Sequence, residues 1–217
     1  YLIFKRIIDV LIATIALIIL LPLFIILHIL VKVDSKGPAI FKQQRIGKNF
    51  KPFYIYKFRS MVVGSQNMGT GVYCFAGDSR ITKVGRFLRK TSLDEIPQLL
   101  NIIKGDMAFV GPRAPVLGHF PEYSELNDAY KRRFTVLPGI TGLAQVKGRN
   151  ELSWDEKVRY DNLYIDKIKK YGLLFDIKMW LLTFTRIFSM KDVEESKENM
   201  QKNNESLRID NKEKIAK

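Results

Sequence analysis

The stretch IIDVLIATIALIILLPLFIILHILV, residues 7–31 of the 217-residue chain, decides the fold. Only Asp9, Thr14, Pro22 and His28 interrupt its apolar side chains. As a straight helix it would be about 37 Å long at about 1.5 Å per residue, enough to cross a hydrocarbon layer of about 30 Å. Its apolar part is too long for a signal peptide and has no small-residue cleavage site. The segment is therefore expected to lie in a membrane.

Two paths through the membrane are open to this segment. Lys5 and Arg6 precede it and Lys32 and Lys36 follow it, and because positive charge favours the cytoplasmic side, both flanks favour the same side. Pro22 removes a helix hydrogen bond and favours a kink, so a bent helix could enter and return. A spanning helix remains the alternative, and the rest of the chain is expected in the cytoplasm in both cases.

The charge of the chain predicts an anionic partner. The formal net charge is +14, and it lies before residue 191, because residues 191–217 carry seven basic and seven acidic side chains. A basic chain of this kind suits nucleic acid, phospholipid or a phosphorylated small molecule. The single cysteine, Cys74, excludes an internal disulfide and a thiolate metal cage and agrees with a reducing cytoplasm.

The remaining pattern predicts an α+β, mainly helical chain. Strands 39–46 and 53–58, separated by a turn at Gly47-Lys48-Asn49, form a predicted hairpin. Helices are expected over 80–104, with a break near Thr91-Ser92, and over 121–134, 151–171 and 173–190. The expected division is a membrane-inserted helix (1–36), a cytoplasmic domain with interfacial helices (37–190) and a polar, disordered tail (191–217). Because the chain begins with Tyr1 rather than Met, an upstream segment is also an open expectation.

Asp94 and Glu95 form the sharpest candidate site. Ser92 with Glu95 three residues later has the pattern of a capping box, and acidic residues favour helix starts, so a purely structural role is one interpretation. Arg86 and Arg89 precede the pair, however, and Arg113 follows the helix, which is an environment typical of phosphate binding.

Carboxylates in a phosphate site suggest attack on phosphorus. A carboxylate approaching a diphosphate meets a repulsion of about 4 kcal/mol per close charge pair at an effective dielectric constant near 20. Arginines and a divalent cation would remove most of it, and carboxylate and phosphate oxygens are the ligands that Mg²⁺ prefers. Carboxylate nucleophiles form aspartyl-phosphate intermediates in other enzymes.

Further candidates are weaker. Lys57 and Arg59 lie among aromatic residues, which suits either a nucleic-acid platform or a half-buried strand. Turn chemistry accounts for the glycines of 139–142 and 148–150 and leaves Arg149 unexplained. Asp161 and Tyr164 are one helical turn apart, a spacing that most often has no functional meaning.

These residues resemble a known family, the bacterial sugar transferases, or monotopic phosphoglycosyl transferases. The resemblance covers residues 1–190 and depends on the order of several blocks: Lys57-Phe58-Arg59-Ser60-Met61, Ser92 to Leu99, Lys104-Gly105-Asp106-Met107, Val110-Gly111-Pro112-Arg113, Pro138 to Gly142 and Gly148-Arg149-Asn150. Two positions depart from the family pattern: Leu21 precedes Pro22 where Ser is common, and Ala114 follows Arg113 where Pro is usual.

The resemblance implies an enzyme at the bacterial inner membrane, with a re-entrant helix and its catalytic core in the cytoplasm. Asp94 would attack the β-phosphate of a UDP-sugar and release UMP, and a polyprenol phosphate would then accept the phospho-sugar. Glu95, with Asp94, would hold Mg²⁺. The implied phosphate and nucleotide contacts are Lys57, Arg59, Arg86, Arg89, Arg113 and Arg149.

The resemblance also implies phospholipid contacts and no nucleic-acid partner, and it leaves a homodimer open. A transferase that works by direct attack, without a covalent intermediate, is an alternative mechanism. A non-catalytic membrane-tethered protein that binds anionic lipid or nucleic acid is an alternative function. Neither the sugar nor the pathway follows from the sequence.

Overall fold

The computed structural model describes residues 2–189 except 70, 72, 73, 75, 76, 149 and 150. The predicted disordered tail and the predicted role of Arg149 lie outside the described residues. Within them, the chain is mainly helical with two short two-stranded sheets, as expected for an α+β chain.

The apolar N-terminal segment forms helix α1 (Leu2–Asp34), which runs through Pro22. Among the described residues it is the one helix long and apolar enough to cross a membrane. Ala13, Leu27 and Val31 are buried on the face that packs against the rest of the chain. Large apolar residues are exposed along the other face: Ile3, Ile7, Leu11, Ile18, Ile19, Ile25, Ile26 and Ile29. This surface is consistent with membrane association, while the bend at Pro22 stays a prediction.

The N-terminal end of α1 is held by ionic and polar contacts. The Lys5 ammonium lies 3.2 Å from Asp9 Oδ2 and 3.0 Å from Asp176 Oδ2, and all three side chains are nearly buried. Arg6 donates to the carbonyl oxygens of Ile102 and Ile103 at 2.5 and 3.1 Å. This end of the helix is therefore fixed to the body of the protein.

The C-terminal end of α1 is held by Arg59. Its guanidinium donates to the carbonyl oxygens of Val31, Ser35 and Lys36 at 3.1, 2.5 and 2.9 Å. Because the last carbonyl groups of a helix have no partner within it, a buried arginine both satisfies them and balances their negative charge. Both ends of α1 thus contact the same domain.

The predicted hairpin is confirmed as antiparallel strands β1 (Ile40–Ile46) and β2 (Pro52–Phe58). A second, parallel pair, β3 (Ala108–Val110) and β4 (Gly139–Thr141), was not predicted. A Cβ added at Gly139 would lie 2.1 Å from the backbone nitrogen of Gly111. The turn interpretation is therefore wrong for Gly139, because this glycine is needed where two backbones approach closely.

The predicted break near residue 92 is confirmed. Helix α2 (Lys83–Thr91) ends at Ser92, whose φ of 57° is left-handed, and a 3₁₀ turn at Leu93–Glu95 follows. The capping-box interpretation is wrong, because the Ser92 side chain makes no cap hydrogen bond; Ser92 ends α2, and only a 3₁₀ turn begins after it.

Five further helices follow along the described chain. They are α3 (Gln98–Lys104), α4 (Asp128–Arg132), α5 (Leu143–Lys147), α6 (Trp154–Tyr171) and α7 (Leu173–Ser189). Of the helix predicted over 121–134, only α4 is α-helical, and 3₁₀ turns lie at Tyr123–Glu125 and Arg133–Thr135. Helices α6 and α7 pack on β3, which leads directly to the Gly111-Pro112-Arg113 loop beside the candidate site.

Candidate active site

The carboxylate pair lies on the wall of a cavity of about 780 Å³. Asp94 and Glu95 are in the 3₁₀ turn, and the Asp94 residue is only 8% exposed. The left-handed conformation of Ser92 reverses the chain after α2 and so directs the turn toward the hairpin. The local backbone therefore places two carboxylates inside the protein, where charge is costly unless cations compensate it.

Lys57 on β2 supplies the nearest positive charge. Its ammonium is 2.7 Å from Glu95 Oε1 and 3.6 Å from Asp94 Oδ2. Arg113 lies farther out, with Nη1 4.0 Å from the same Glu95 oxygen and 40% of its side chain exposed. Four residues separated by up to 56 positions in the sequence are thus brought together.

The balance of these charges sets the state of Asp94. Burial raises the pKa of Asp94, and the neighbouring Glu95 raises it further, while Lys57, Arg89 and Arg113 act against both. A nucleophilic carboxylate must be ionised, so any ligand that brings positive charge close to Asp94 would favour the reactive form.

Of the two predicted arginines on α2, only one lines the cavity. Arg89 donates from Nε to Ser60 Oγ at 2.9 Å and from Nη1 to Cys74 Sγ at 2.7 Å, and it faces the carboxylates. Arg86 is exposed and is not among the lining residues. The structure therefore brings Arg89, and not Arg86, to the candidate site.

The other sequence candidates have different positions. Arg59 borders the cavity, but its guanidinium binds the carbonyl groups at the end of α1. Tyr164 is buried outside the cavity, with its hydroxyl 2.8 Å from Asp176 Oδ1 and 3.0 Å from the Val110 carbonyl oxygen. Asp161 does line the cavity.

Asp161 forms a buried ion pair with Arg133, a residue that sequence reasoning missed. The distance from Arg133 Nη2 to Asp161 Oδ2 is 3.0 Å. Burial raises the pKa of Asp161 to about 6 even though Arg133 acts to lower it. Arg133 also donates to the carbonyl oxygen of Arg113 at 2.8 Å, so the pair supports the loop that carries Arg113. In the sequence, Lys131-Arg132-Arg133 has the pattern of a solvated charge run and gave no signal.

Arg45 supports the same loop and was also missed as a site residue. It donates to the carbonyl oxygen of Ala114 at 2.8 Å and to Gln43 Oε1. Burial, with Arg113 nearby, lowers the pKa of Arg45 to about 9, so its guanidinium stays charged at neutral pH.

The carboxylate pair fits a magnesium ion that shares its ligands with a substrate. Among the described residues no three or more His, Cys, Asp or Glu side chains converge, so Asp94 and Glu95 would be the protein ligands. Mg²⁺ is usually held by one or two carboxylates together with phosphate oxygens and water. The ammonium of Lys57 already bridges the two carboxylates, which indicates that this position accepts a cation.

Comparisons with known proteins identify the relatives of the chain. A family model described as "Bacterial sugar transferase" matches residues 1–190. The chain is 41% identical over 194 residues to the UDP-glucose:undecaprenyl-phosphate glucose-1-phosphate transferase of Klebsiella pneumoniae, covering 87% of this chain and 41% of that protein. It is 42% identical over 193 residues to the undecaprenyl-phosphate galactose phosphotransferase of Salmonella typhimurium, and the match covers 82% of this chain and 39% of that protein.

A shorter relative matches over most of its length. The uncharacterized sugar transferase EpsL of Bacillus subtilis is 39% identical over 174 residues, covering 80% of this chain and 81% of that protein. The chain spans about two fifths of the length of the longer relatives. The matched residues include α1, the hairpin and every described residue of the carboxylate site. The chain therefore belongs to the bacterial sugar transferase family.

Proposed function

We propose that the chain transfers a phospho-sugar from a UDP-sugar to a polyprenol phosphate, undecaprenyl phosphate in bacteria, and releases UMP. The observation that carries the proposal is the pair formed by the buried Asp94 and the partly buried Glu95, in a cavity shared with Lys57, Arg89 and Arg113. The names of the relatives describe the same class of reaction, on glucose 1-phosphate in one protein and galactose phosphate in another.

The proposed reaction has two steps. An oxygen of Asp94 forms a bond to the β-phosphorus of the UDP-sugar, the bond from that phosphorus to the bridging oxygen breaks, and UMP leaves with the electron pair. A phosphate oxygen of the polyprenol phosphate then attacks the same phosphorus and displaces the carboxylate of Asp94. Splitting the transfer in this way replaces one difficult step by two easier ones.

The surrounding residues have separate tasks in this scheme. Arg113 and Arg89 supply positive charge for the diphosphate. The Lys57 ammonium contacts both carboxylates and offsets the repulsion between the negative charges of Asp94 and Glu95. A bound Mg²⁺ would supply charge neutralisation of the phosphate oxygens. Arg45 and the Arg133–Asp161 pair position the Arg113 loop through its carbonyl groups.

The acceptor would approach from the membrane side of the cavity. Phe41, Val62 and Val63 are apolar residues of the cavity wall, and Val63 lies beside Gly37, just after the end of α1. A re-entrant α1 in the inner membrane, with the site on the cytoplasmic side, is supported by the contacts that both ends of α1 make with the same domain. A polyprenol chain could then stay in the lipid while its phosphate enters the cavity.

Replacement of the nucleophile tests the proposal. Purified full-length chain with Asp94→Asn is expected to release no UMP from a UDP-sugar with Mg²⁺ present, and to gain no phospho-sugar mass when acceptor is withheld. Asp128→Asn, the same change at an exposed acid in the first turn of α4, is the matched control and should behave as wild type. Wild-type UMP release by Asp94→Asn would overturn the assignment of the nucleophile.

Two further measurements separate the alternatives. Ternary-complex kinetics, with no mass adduct, would select direct attack on phosphorus over a covalent intermediate. Salt-sensitive lipid or nucleic-acid binding without any UMP release would select the non-catalytic function. Because relatives named for glucose and for galactose are almost equally similar, the sugar must come from a panel of UDP-sugars.

A further inference from the structure

The cavity continues beyond the carboxylates to a second group of side chains, which we name the aromatic end. It consists of His119, Arg133, Gln145, Trp154 and Asp161. The reaction proposed above uses none of these side chains on the reacting phosphorus. Their chemistry also differs from that of the carboxylate end, because the aromatic end adds two flat rings and an amide to an arginine and an acid that are paired with each other.

Six polar atoms of the aromatic end are shielded from solvent and make no hydrogen bond to any described residue. Three of them, Arg133 Nε and Nη1 and Asp161 Oδ2, belong to the Arg133–Asp161 ion pair, and the other three belong to Gln145 and His119. Both amide atoms of Gln145, Oε1 and Nε2, are shielded from solvent and make no hydrogen bond to any described residue, and the same holds for His119 Nε2. Buried polar atoms are nearly always satisfied, so each exception needs a reason. Since these residues border a cavity, a rotation of the Gln145 and His119 side chains toward it would let a ligand supply the missing partners.

The rings favour a flat, uncharged ligand. The centroids of His119 and Trp154 are 4.9 Å apart, and the Arg133 guanidinium carbon is 5.1 Å from the Trp154 ring. Burial, and after it Lys157, Arg45 and Arg133, lowers the pKa of His119 to about 4, so its ring is neutral at physiological pH. Two rings that are neutral at physiological pH, beside an arginine whose charge is balanced by Asp161, suit a heterocycle better than a further phosphate.

We propose that the aromatic end binds the uracil base of the nucleotide donor, with the Gln145 amide on its imide edge. A primary amide offers one acceptor and a donor group side by side, and uracil offers an N–H beside a carbonyl group, so two hydrogen bonds form together. A sugar ring fits less well, because it has no flat aromatic face to lie against the His119 and Trp154 rings. The inference rests on the proposed function for the donor's identity as a UDP-sugar.

The variant Gln145→Leu separates binding from stability. Loss of the two hydrogen bonds is expected to weaken UMP binding, measured by titration calorimetry on the full chain in detergent, by about tenfold or more. The melting temperature should not fall, because leucine removes two unpartnered buried polar atoms. Gln44→Leu, the same change at an exposed position on β1 outside the cavity, should alter neither quantity.

A second measurement needs no variant. N3-methyl-UMP lacks the N–H that would donate to Gln145, so wild-type protein should bind it about tenfold more weakly than UMP. Equal affinity for the two nucleotides, or unchanged UMP binding by a folded Gln145→Leu, would overturn the assignment. It would also be overturned if Gln145→Leu weakened binding of glucose 1-phosphate and left UMP unaffected, since the aromatic end would then hold the sugar.

The two proposals fail in distinguishable ways. Gln145-dependent UMP binding without UMP release from any UDP-sugar would refute the transferase activity and leave the base site in place. Release of UMP with a Michaelis constant for the UDP-sugar that Gln145→Leu does not change would refute the base site alone.

Discussion

The Lys5–Asp176 ion pair joins α1 to α7, and its removal gives the sharpest test of how α1 is held. The two side chains are 10% and 4% exposed, and their charged atoms are 3.0 Å apart. At an effective dielectric constant near 20 this distance corresponds to an attraction of about 5 kcal/mol before the cost of desolvation. Removing one partner of a buried pair costs about 3–5 kcal/mol, because the other charge is left uncompensated.

Asp176→Asn is therefore expected to lower the free energy of unfolding by about 3 kcal/mol, or the melting temperature by about 10 °C for a chain of this size. Lys5→Met should cost a similar amount, since it leaves the buried carboxylates of Asp176 and Asp9 without the ammonium group that pairs with them. In the double variant neither charge of the pair remains, so its loss should be smaller than the sum of the single losses by about 2 kcal/mol. Lys90→Met, at an exposed site on α2, is the control.

The assay is thermal or denaturant unfolding in lipid nanodiscs, followed by tryptophan fluorescence, with UMP release measured in parallel. Release should fall in Asp176→Asn, because the Asp176 carboxylate contacts the Tyr164 hydroxyl, which also contacts the Val110 carbonyl just before the Arg113 loop. Losses that add to within about 0.5 kcal/mol in the double variant would refute an energetic link between Lys5 and Asp176.

Two further predictions concern protonation. In Lys57→Met, Asp94 loses the nearest charge that favours its ionised form, so the pH of half-maximal UMP release should rise, and an unmoved midpoint would contradict the role of Lys57. The pKa of His119 is lowered to about 4 from about 6.5 unfolded, so the stability it contributes is present above pH 6.5 and lost as the pH falls toward 4, by up to about 3 kcal/mol. The free energy of unfolding of His119→Phe, compared at pH 7 and pH 4.5, should not show this loss. Asp161 has a raised pKa and so contributes a gain in stability on acidification, but this gain is the same in both proteins and cancels when the two are compared.

The elements with strong local signals were predictable from the sequence. The apolar run gives α1, the residues around Gly47 give the hairpin, and the break at Ser92 was placed correctly. The parallel pair β3–β4 was missed, because each strand has three residues and its partner is about 30 positions away, so no local periodicity exists to reveal it.

The residues near the carboxylates were easier to predict from the sequence than the directions in which their side chains point. Lys57, Arg89 and Arg113 do lie around Asp94, but Arg86, one helical turn before Arg89, is exposed. Which arginine of a short helix faces the cavity depends on how α2 packs, and that packing is set by distant contacts. The buried Arg133 illustrates the same limit, since its partner Asp161 is 28 residues away.

Arg59 has a consequence for the lipid environment. It donates to carbonyl groups in the last turn of α1 and just after it, and it follows Lys57 by two positions. The segment that carries Lys57 therefore also holds the C-terminal end of the apolar helix α1. A bilayer with shorter or longer acyl chains changes the tilt at which an apolar helix is best accommodated. Because Arg59 directly follows β2, a change in the tilt of α1 would displace β2 and Lys57. The rate of turnover is therefore expected to depend on acyl-chain length, although the lipid makes no contact with the substrates' reacting groups.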